Sequence, residues 1–340
     1  MPRPPTIRSL ARQLKLSVAT VSEALRDSPR VTSATKAGVL RAAAKAGYTV
    51  NPLLGAALSA VRRSRHQHFR GTLALVDIAE DGRAELMLFH REVAAGAKMR
   101  AAALGFNTEL FWLGRESPAL PPTRLPGVLL ARGITGAVLL PFNMAQDLRA
   151  FDFSRLAAVQ MDYSLIDPQL HAILPDHFLS MVRTLERLEA RGHRRIGLCL
   201  EQRKDSRLKN KWTAGYLAHF LKDGRGLPPL VSPQALTSET FLPWFRRHRP
   251  DVIVGHVQEI VAWLRADGVR VPAETGFFNL NLTERIGPCA GLDLQPQRLG
   301  AVAVETLVGM LHRQERGVPV QAQSVMIEAS WQEGPTLRRA

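Results

Sequence analysis

The chain has 340 residues, more than one ordinary hydrophobic core accommodates, so two or three domains are expected. Its 46% hydrophobic and 22% charged residues exclude a disordered or fibrous chain. No run reaches the roughly 18–20 apolar residues of a membrane span, and no membrane partner is expected. The start, MPRPPTIRSL, lacks the apolar core of a secretory signal, and only two cysteines are present, which favours a cytoplasmic protein.

Positive charge is concentrated at the N-terminus. Residues 1–70 hold 13 Lys and Arg against Glu23 and Asp27, a balance of +11, whereas the rest of the chain holds 32 against 28. Such a field is typical of a polyanion partner, because neutralising phosphates releases condensed counterions. A solvated basic face would carry the same charge, so charge alone leaves both interpretations open.

The first fifty residues predict three short helices. Thr6 can cap a helix from Ile7 to about Gln13, and Ser17 can cap a second one. A third helix is expected from Thr32 to Gly47. The apolar positions expected to face inward are Ile7, Leu10, Ala11, Leu14, Val18, Val21, Ala24, Leu25, Val39, Leu40 and Ala43. A generic three-helix bundle would show the same spacing.

The motif in these helices is more specific than their spacing. The run SVATVSEAL, followed by PRV, a capped helix, GY and NP, resembles the head of the lac repressor (LacI/GalR) family of transcription regulators over residues 6–58. The resemblance implies a helix-turn-helix whose second helix enters the major groove, with two heads on a near-palindromic operator. It implies DNA contacts for Thr6, Ser17, Val18, Ala19, Thr20, Ser22, Glu23, Arg26 and Arg30.

Glu23 departs from the pattern of that family, whose members commonly have Arg at this position. An Arg reads guanine through O6 and N7, whereas a carboxylate can accept from cytosine N4 or pair with the nearby Arg26. The operator therefore need not follow the usual consensus of the family.

Residues 49–68 resemble the hinge of the same family, which forms a short helix over the minor groove and inserts a leucine into the central base step. Asn51 is expected to contact DNA in this segment. Counted from Gly47, Ala57 falls at the leucine position and Leu58 follows it. Either Leu58 acts after a register shift or the wedge is weak, and an ordinary helical linker is the alternative.

From Gly71 onward, short apolar runs alternate with amphipathic stretches, which predicts βαβ units and parallel sheets. The expected strands are TLALVDI, NTELFWL, GAVLLPF, AAVQMD, HRRIGLCL, DVIVGH and ETGFFNL. The expected helices are LMLFHREVAAGAKMRAAALGF, residues 126–132, HFLSMVRTLERLEARG, KWTAGYLAHFLKDG and residues 257–267. A loop is expected through Pro168 and Pro175.

This body resembles the periplasmic-binding-protein-like sensor of the same family, with GHRRIGL, the dipeptide VP and DLQPQRLGAVAVETLVGML as landmarks. The expected fold is an N-terminal all-α helix-turn-helix head followed by an α/β body of two parallel-sheet subdomains. The expected boundaries are 1–48 for the head, 49–68 for the hinge, 69–165 with 291–325 for subdomain 1, and 166–290 with 326–340 for subdomain 2. The resemblance implies chain crossings near Ile166, Gly291 and Met326.

Ligands of this architecture bind in the cleft between the sheets, at the carboxyl ends of the strands. By position, the resemblance implies a cleft formed by Asp77, Phe89, Asp162, Asp176, Trp212, His256, Phe278 and Asn279. Trp212 stands where many relatives hold Arg, and Phe278 where they hold Asp. Loss of that charged pair argues against assuming a conventional sugar effector, although a Trp can stack on a pyranose face.

These features predict a sequence-specific DNA-binding transcription regulator, a repressor by resemblance, that acts as a homodimer on double-stranded operator DNA. Its effector is an unknown small molecule, with a sugar or sugar derivative as one candidate. An enzyme of similar architecture is disfavoured because G-x-G-x-x-G, G-x-x-x-x-G-K-[ST], H-E-x-x-H and G-x-S-x-G are all missing, and no cofactor or metal is expected. A solute-binding protein would need an export signal and no DNA-binding head.

Overall fold

The protein is described by a computed structural model over residues 7–25, 31–46, 71–79, 88–114, 119–221 and 224–338. The chain divides into two compact units, residues 1–68 and 69–340. In its described part the first unit contains helices, and the second contains alternating strands and helices. None of the helices in the described ranges is long and apolar enough to cross a membrane.

Three helices form the described part of the first unit, the head. Their bounds are α1 Ile7–Leu14, α2 Val18–Leu25 and α3 Ser33–Lys45. The predicted cap Ser17 is confirmed, because its hydroxyl accepts a hydrogen bond from Thr20 N–H at 3.0 Å. Thr32, the predicted start of the third helix, also caps its helix by accepting from Thr35 N–H at 3.4 Å. Thr6 and Gly47, the predicted first cap and last helix end, lie outside the described residues.

A small apolar core holds the three helices together. Its buried members are Leu10, Ala11, Val21, Ala24, Val31, Val39 and Ala43. Two inward placements were wrong, because Val18 is 44% exposed and Leu40 is 54% exposed. Val39 and Ala43, one turn apart, already provide the inner stripe of α3, and Leu40 lies one position further round that helix.

The body contains every strand and helix that the sequence predicted, together with shorter elements. Its strands are β1 Thr72–Ile78, β2 Asn107–Leu113, β3 Gly136–Leu139, β4 Gln146–Asp147, β5 Ala157–Met161, β6 Leu165–Asp167, β7 His171–Pro175, β8 Ile196–Glu201, β9 Leu230–Ser232, β10 Val252–Gly255, β11 Gly276–Asn279, β12 Ala290–Asp293, β13 Ser324–Ile327 and β14 Ser330–Gln332. Its helices are α4 Leu88–Ala103, α5 Leu125–Ala131, α6 His177–Ala190, α7 Gln202–Arg207, α8 Lys211–Phe220, α9 Ser238–His248, α10 Ile260–Ala266 and α11 Pro296–Arg313.

Twelve of the strands form two main sheets, as the resemblance implied, each with six strands, and β4 pairs with β6 in a separate two-stranded sheet. The first has the order β13-β7-β5-β3-β1-β2, and the second has the order β14-β12-β11-β10-β8-β9. All neighbours in the first sheet are parallel, whereas β14 runs antiparallel to β12 at the edge of the second. The central strands are buried on both faces, which explains their continuous apolar sequences.

The chain crosses between the sheets at positions that differ from those expected. The predicted loop contains β7, which lies in the first sheet, so the chain enters the second sheet after Pro175 and not near Ile166. It returns after β12 and crosses once more after Ile327, close to the expected positions. The sequence HAILP was misinterpreted because a five-residue apolar run between prolines carries no periodicity that separates strand from loop.

Two glycines allow close packing of α4 and α11 on the first sheet. A Cβ added at Gly96 would lie 1.9 Å from the carbonyl oxygen of Gln297, and one at Gly300 would lie 2.0 Å from that of Val93. Ala97, Ala303 and their neighbours fill the remaining space in the same buried cluster. These small residues therefore set the distance between the two helices, and α4 also carries part of the cleft.

Candidate functional site

The head presents the first turn of α2 to solvent. Lys15 adopts a left-handed conformation, with φ of 53°, and turns the chain from α1 into α2. Ser17 and Val18 are exposed, and Thr20 and Glu23 are half-buried. The hydroxyls of Ser17 and Thr20 lie 2.8 Å apart. A helix start with exposed polar side chains beside basic residues is the geometry with which a helix-turn-helix contacts DNA.

The other residues predicted to contact DNA are placed less completely. Thr6, Arg26, Arg30, Asn51, Ala57 and Leu58 lie outside the described residues. The side chains of Ala19 and Ser22 are likewise not described, although both positions belong to α2. The roles of all these residues in DNA contact therefore stay predictions.

A cavity of about 320 Å³ lies in the body. Its lining residues are Phe89, His90, Pro141, Asn143, Asp162, Pro175, His177, Glu201, Arg203, Lys204, Arg207, Leu208, Trp212, His256, Leu280, Asn281 and Leu294. Most of these follow the carboxyl ends of strands from both sheets, including β3, β5, β8, β10 and β11, and α4 supplies two more. The cavity therefore occupies the position at which doubly wound sheets bind ligands.

Four of the eight residues expected in the cleft line this cavity, namely Phe89, Asp162, Trp212 and His256. The other four are not among its lining residues. Asp77 bonds to the lining residue His90, and Asp176 caps α6 by accepting from Leu179 N–H at 3.0 Å.

Phe278 and Asn279, the other two expected residues that do not line the cavity, contact neighbouring residues of the second sheet. Phe278 is fully buried, with its ring 4.2 Å from that of Trp331. Asn279 accepts a hydrogen bond from Asn281 N–H at 2.8 Å, and Asn281 in turn lines the cavity. Phe278 thus belongs to the core of the second sheet, and Asn279 supports a lining residue.

Three histidines line the cavity, and two of them are paired with carboxylates. His90 Nδ1 lies 2.9 Å from Asp77 Oδ2, and both side chains are buried. His256 Nε2 lies 3.5 Å from Glu201 Oε2, and this interaction lowers the pKa of Glu201 to about 2. Glu201 is therefore ionised at neutral pH.

His177 has no such partner. Burial lowers the pKa of its imidazole to about 4, so the ring is neutral at physiological pH. Within the described part of the chain, neither ring nitrogen has a hydrogen-bond partner, and the ring packs 4.6 Å from that of Trp212. A buried polar group without a partner costs stability, which is typical of functional positions.

Asp162 and Arg207 form an ion pair at the cavity. Arg207 Nη1 lies 2.6 Å from Asp162 Oδ2, and the Asp162 side chain is only 4% exposed. Asp162 follows β5 with a φ of 53°, a left-handed conformation that carries its side chain away from the strand direction. Its other carboxylate oxygen, Oδ1, has no partner among the described atoms.

Sequence reasoning missed His90, His177, Glu201 and Arg207. His177 comes two residues after β7, which was expected to be a loop, and a strand at that position would have placed His177 near the carboxyl ends of the strands. Arg207 lies on α7, whose sequence QRKDSR has no apolar periodicity to reveal a helix. Among the described residues no group of three or more His, Cys, Asp or Glu could hold a metal ion.

The cavity therefore combines two flat apolar faces, Phe89 and Trp212, with side chains of both charge signs. Glu201 and Asp162 supply acceptors, and the three basic residues of α7 supply donors. This combination suits a small polar molecule that also has an apolar face.

Comparisons with known proteins agree with this architecture. A family model described as the periplasmic binding protein-like domain matches residues 185–334. The HTH-type transcriptional repressor CytR of Escherichia coli strain K12 is 22% identical over 332 residues, which cover 92% of this chain and 91% of that protein.

Solved structures match over nearly the whole chain. The transcriptional regulator CelR–cellobiose complex has a TM-score of 0.55 at 19% identity, covering 98% of this chain and 99% of that one. The lac repressor dimer bound to operator and the anti-inducer ONPF has a TM-score of 0.56 at 17% identity, covering 99% and 100%. A LacI-family transcriptional regulator of Silicibacter pomeroyi has 0.53 at 20%, with 99% and 100% covered. The chain therefore has the lac repressor type of fold and is similar in sequence, at 22% identity, to a transcriptional repressor.

Proposed function

We propose that the protein is a repressor that binds a near-palindromic DNA operator as a homodimer and is modulated by a small molecule in the cleft. The observation that carries the proposal is the exposed first turn of α2, set on a segment with a charge balance of +11. Val18 is exposed there although it is apolar, as expected for a residue that meets the edge of a base or a thymine methyl group.

The proposed DNA contacts combine this exposed turn with the resemblance of residues 6–58 to the head of the lac repressor family. Val18, Ala19 and Glu23 face the major groove, and Ser17, Thr20 and Ser22 contact phosphates or support the helix. Arg26 and Arg30 contact the backbone, Thr6 caps the first helix close to a phosphate, and the hinge residues Asn51, Ala57 and Leu58 contact the minor groove. The relatives whose names describe repressors and operator complexes support this assignment.

The effector site is proposed at the cavity of about 320 Å³, which has the size of a small-molecule site. Phe89, Asp162, Trp212 and His256 contact the ligand, whereas Asp77, Asp176, Phe278 and Asn279 support the lining. A sugar or sugar derivative stays one candidate, because Trp212 and Phe89 offer faces for a pyranose ring. Cellobiose in the CelR complex supports that candidate.

The homodimer is proposed to form through the body, with the segment around α4 and the segment after Leu280 as its interface. Exposed apolar side chains occur on both segments, namely Leu88, Met99 and Ile286. An open depression of about 1270 Å³ lies beside Leu88 and Ile286. Two heads on one frame gain effective concentration on a two-fold operator, which a single small head does not.

We further propose a regulator and not an enzyme, acting in the cytoplasm on nucleoid DNA. The relatives named above are transcription regulators, and the described lining of the cavity has no Ser, Thr or Cys that His90 or His256 could activate as a nucleophile. Cys199 and Cys289 are buried, and burial raises the pKa of each thiol, which keeps both unreactive.

Selection of bound sequences from random double-stranded DNA by the purified full chain tests the proposal. The expected result is enrichment of two related half-sites in inverted orientation, spaced by about one helical turn. Enrichment of no sequence, or of a single asymmetric site bound by a monomer, would count against it. Repeating the selection with candidate small molecules present identifies those that weaken or strengthen binding.

A further inference from the structure

The Asp162–Arg207 ion pair joins two different sheets. Asp162 follows β5 of the first sheet, whereas Arg207 ends α7, which follows β8 of the second sheet. The same Nη1 atom of Arg207 also lies 3.5 Å from the backbone oxygen of Phe142, which follows β3 of the first sheet. One guanidinium of the second sheet is thus held by two acceptors of the first.

The helix that carries Arg207 is fixed to its own sheet. Asp205 on α7 is 1% exposed, and its carboxylate accepts hydrogen bonds from Trp212 N–H at 3.2 Å and from the Thr213 hydroxyl at 2.5 Å. Both donors belong to α8, which packs on the second sheet in the same buried cluster. Arg207 therefore lies on a helix that is fixed to the second sheet, so its contact with Asp162 links the two sheets directly.

Burial makes this pair a strong link. The side chain of Asp162 is 4% exposed and that of Arg207 is 30% exposed. By contrast, both side chains are about half exposed in the surface pairs Arg100–Glu305, Arg132–Glu109, Arg183–Glu328 and Arg187–Glu333. Charge-assisted bonds of low exposure are shorter and less screened than surface pairs. Breaking this pair would leave Asp162 buried and unpaired, which is costly.

We propose that Arg207 is a positioning residue whose ion pair with Asp162, called the clasp below, holds the two sides of the cleft together without requiring a ligand. Because the chain crosses between the sheets at only three places, the two halves can hinge, and a cross-cleft link decides how open they are. In this chain a side chain provides the link that a ligand touching both sheets would otherwise provide. A ligand then shifts the sensor only through its different affinities for the clasped and open states.

The inference rests on the proposed function only in treating the cleft as the sensing site, and its test requires no DNA. Spin labels are attached to Met144→Cys, on the first-sheet side, and Gln234→Cys, on the second-sheet side, in the full-length protein. Met144 and Gln234 are exposed, and the native Cys199 and Cys289 are buried, so the labels react at the introduced positions. Pulsed electron paramagnetic resonance measures the distance distribution between the labels.

The labelled protein is expected to show one short distance without ligand, and Arg207→Gln is expected to add a longer population. Arg203→Gln is the matched control, because it removes the same charge from the same helix and lines the same cavity. Arg207→Lys should restore part of the short population, since it keeps the charge. Asp162→Asn should lengthen the distance as Arg207→Gln does, and combining both should add nothing further.

An Arg207→Gln distribution identical to that of the labelled parent would overturn the clasp, and so would an equal shift in Arg203→Gln. Additive effects of Arg207→Gln and Asp162→Asn would also overturn it, because the two residues would then act separately. If Asp162→Asn does not fold, the comparison of Arg207→Gln, Arg207→Lys and Arg203→Gln decides the question alone. A protein that fails to bind DNA can still show the clasp, so the two proposals fail separately.

Discussion

His177 packs its neutral imidazole 4.6 Å from the ring of Trp212, and both side chains line the cleft of the body. No hydrogen-bond partner for either ring nitrogen exists in the described part of the chain. Replacing the ring by an apolar one should therefore remove a cost and not an interaction. His177→Phe is expected to stabilise the protein by about 1–3 kcal/mol, or roughly 2–4 °C in Tm per kcal/mol. Calorimetry at pH 7.5 checks this, and a lowered Tm would show that His177 is satisfied in the native state.

The same residue predicts acid sensitivity. The pKa of His177 is lowered from 6.5 to about 4, so between these values the unfolded chain binds a proton that the folded chain does not. The free energy of unfolding should therefore fall as pH falls from 6.5 to 4, by up to roughly 3 kcal/mol from this group. Urea titrations of the native protein and His177→Phe across this range isolate the contribution. Parallel curves for the two proteins would contradict it.

Close packing of α4 against α11 predicts a large cost at Gly96. The Cβ of Gly96→Ala would lie 1.9 Å from the carbonyl oxygen of Gln297, so the two helices must separate, at a cost of about 1–3 kcal/mol or more. Gly127→Ala in α5 is the matched control, because an added Cβ there meets nothing within 4 Å. That change should be neutral or stabilising, by up to about 1 kcal/mol. Equal midpoints of urea unfolding for the two variants would refute the packing argument.

Base reading by α2 predicts that Glu23→Arg changes the preferred operator. The substitution replaces an acceptor for cytosine N4 with a donor for guanine O6 and N7, worth about 1–3 kcal/mol at one position of each half-site. Selection from random DNA measures the change. An unchanged preferred sequence would make Glu23 a surface residue and move the readout to Val18, Ala19 or the hinge.

Lys15→Ala is the control for that experiment, because Lys15 lies in the turn between α1 and α2 and not on the helix itself. It should weaken binding to all sequences alike and lower the salt slope by about one unit for each DNA phosphate that the variant no longer neutralises. A sequence-dependent effect of Lys15→Ala would mean that the turn also reads bases.

The head was predictable because short-range rules determine it. The cap Ser17 and the helix start at Thr32 were identified from residue type and spacing. The error at Leu40 arose because an alanine-rich helix such as α3 has an apolar side wider than its buried stripe. In the body, strands and helices of clear periodicity were found, whereas β7 was missed because Pro168 before it and Pro175 at its end indicate a loop.

Only four of the eight residues expected in the cleft line the cavity, because a local sequence pattern does not reveal which side chains pair across long sequence separations. Asp77 was expected in the lining, yet His90 covers it, and the pair is separated by 13 residues. The Asp162–Arg207 pair spans 45 residues and involves a helix with no apolar period, so nothing local indicated it. The resemblance to the family identified Asp162 as a cleft residue but did not identify its partner Arg207.

The central claim, sequence-specific recognition by the head, is tested most directly by one ratio. The affinity of the full-length protein for its selected operator is compared with its affinity for a scrambled duplex of the same length, at one fixed salt concentration near 150 mM. The account predicts a ratio of about 10³ or more, with two protomers per operator. A ratio near one, with both affinities falling equally steeply as salt rises, would identify a basic head that binds DNA by charge alone and would contradict the account.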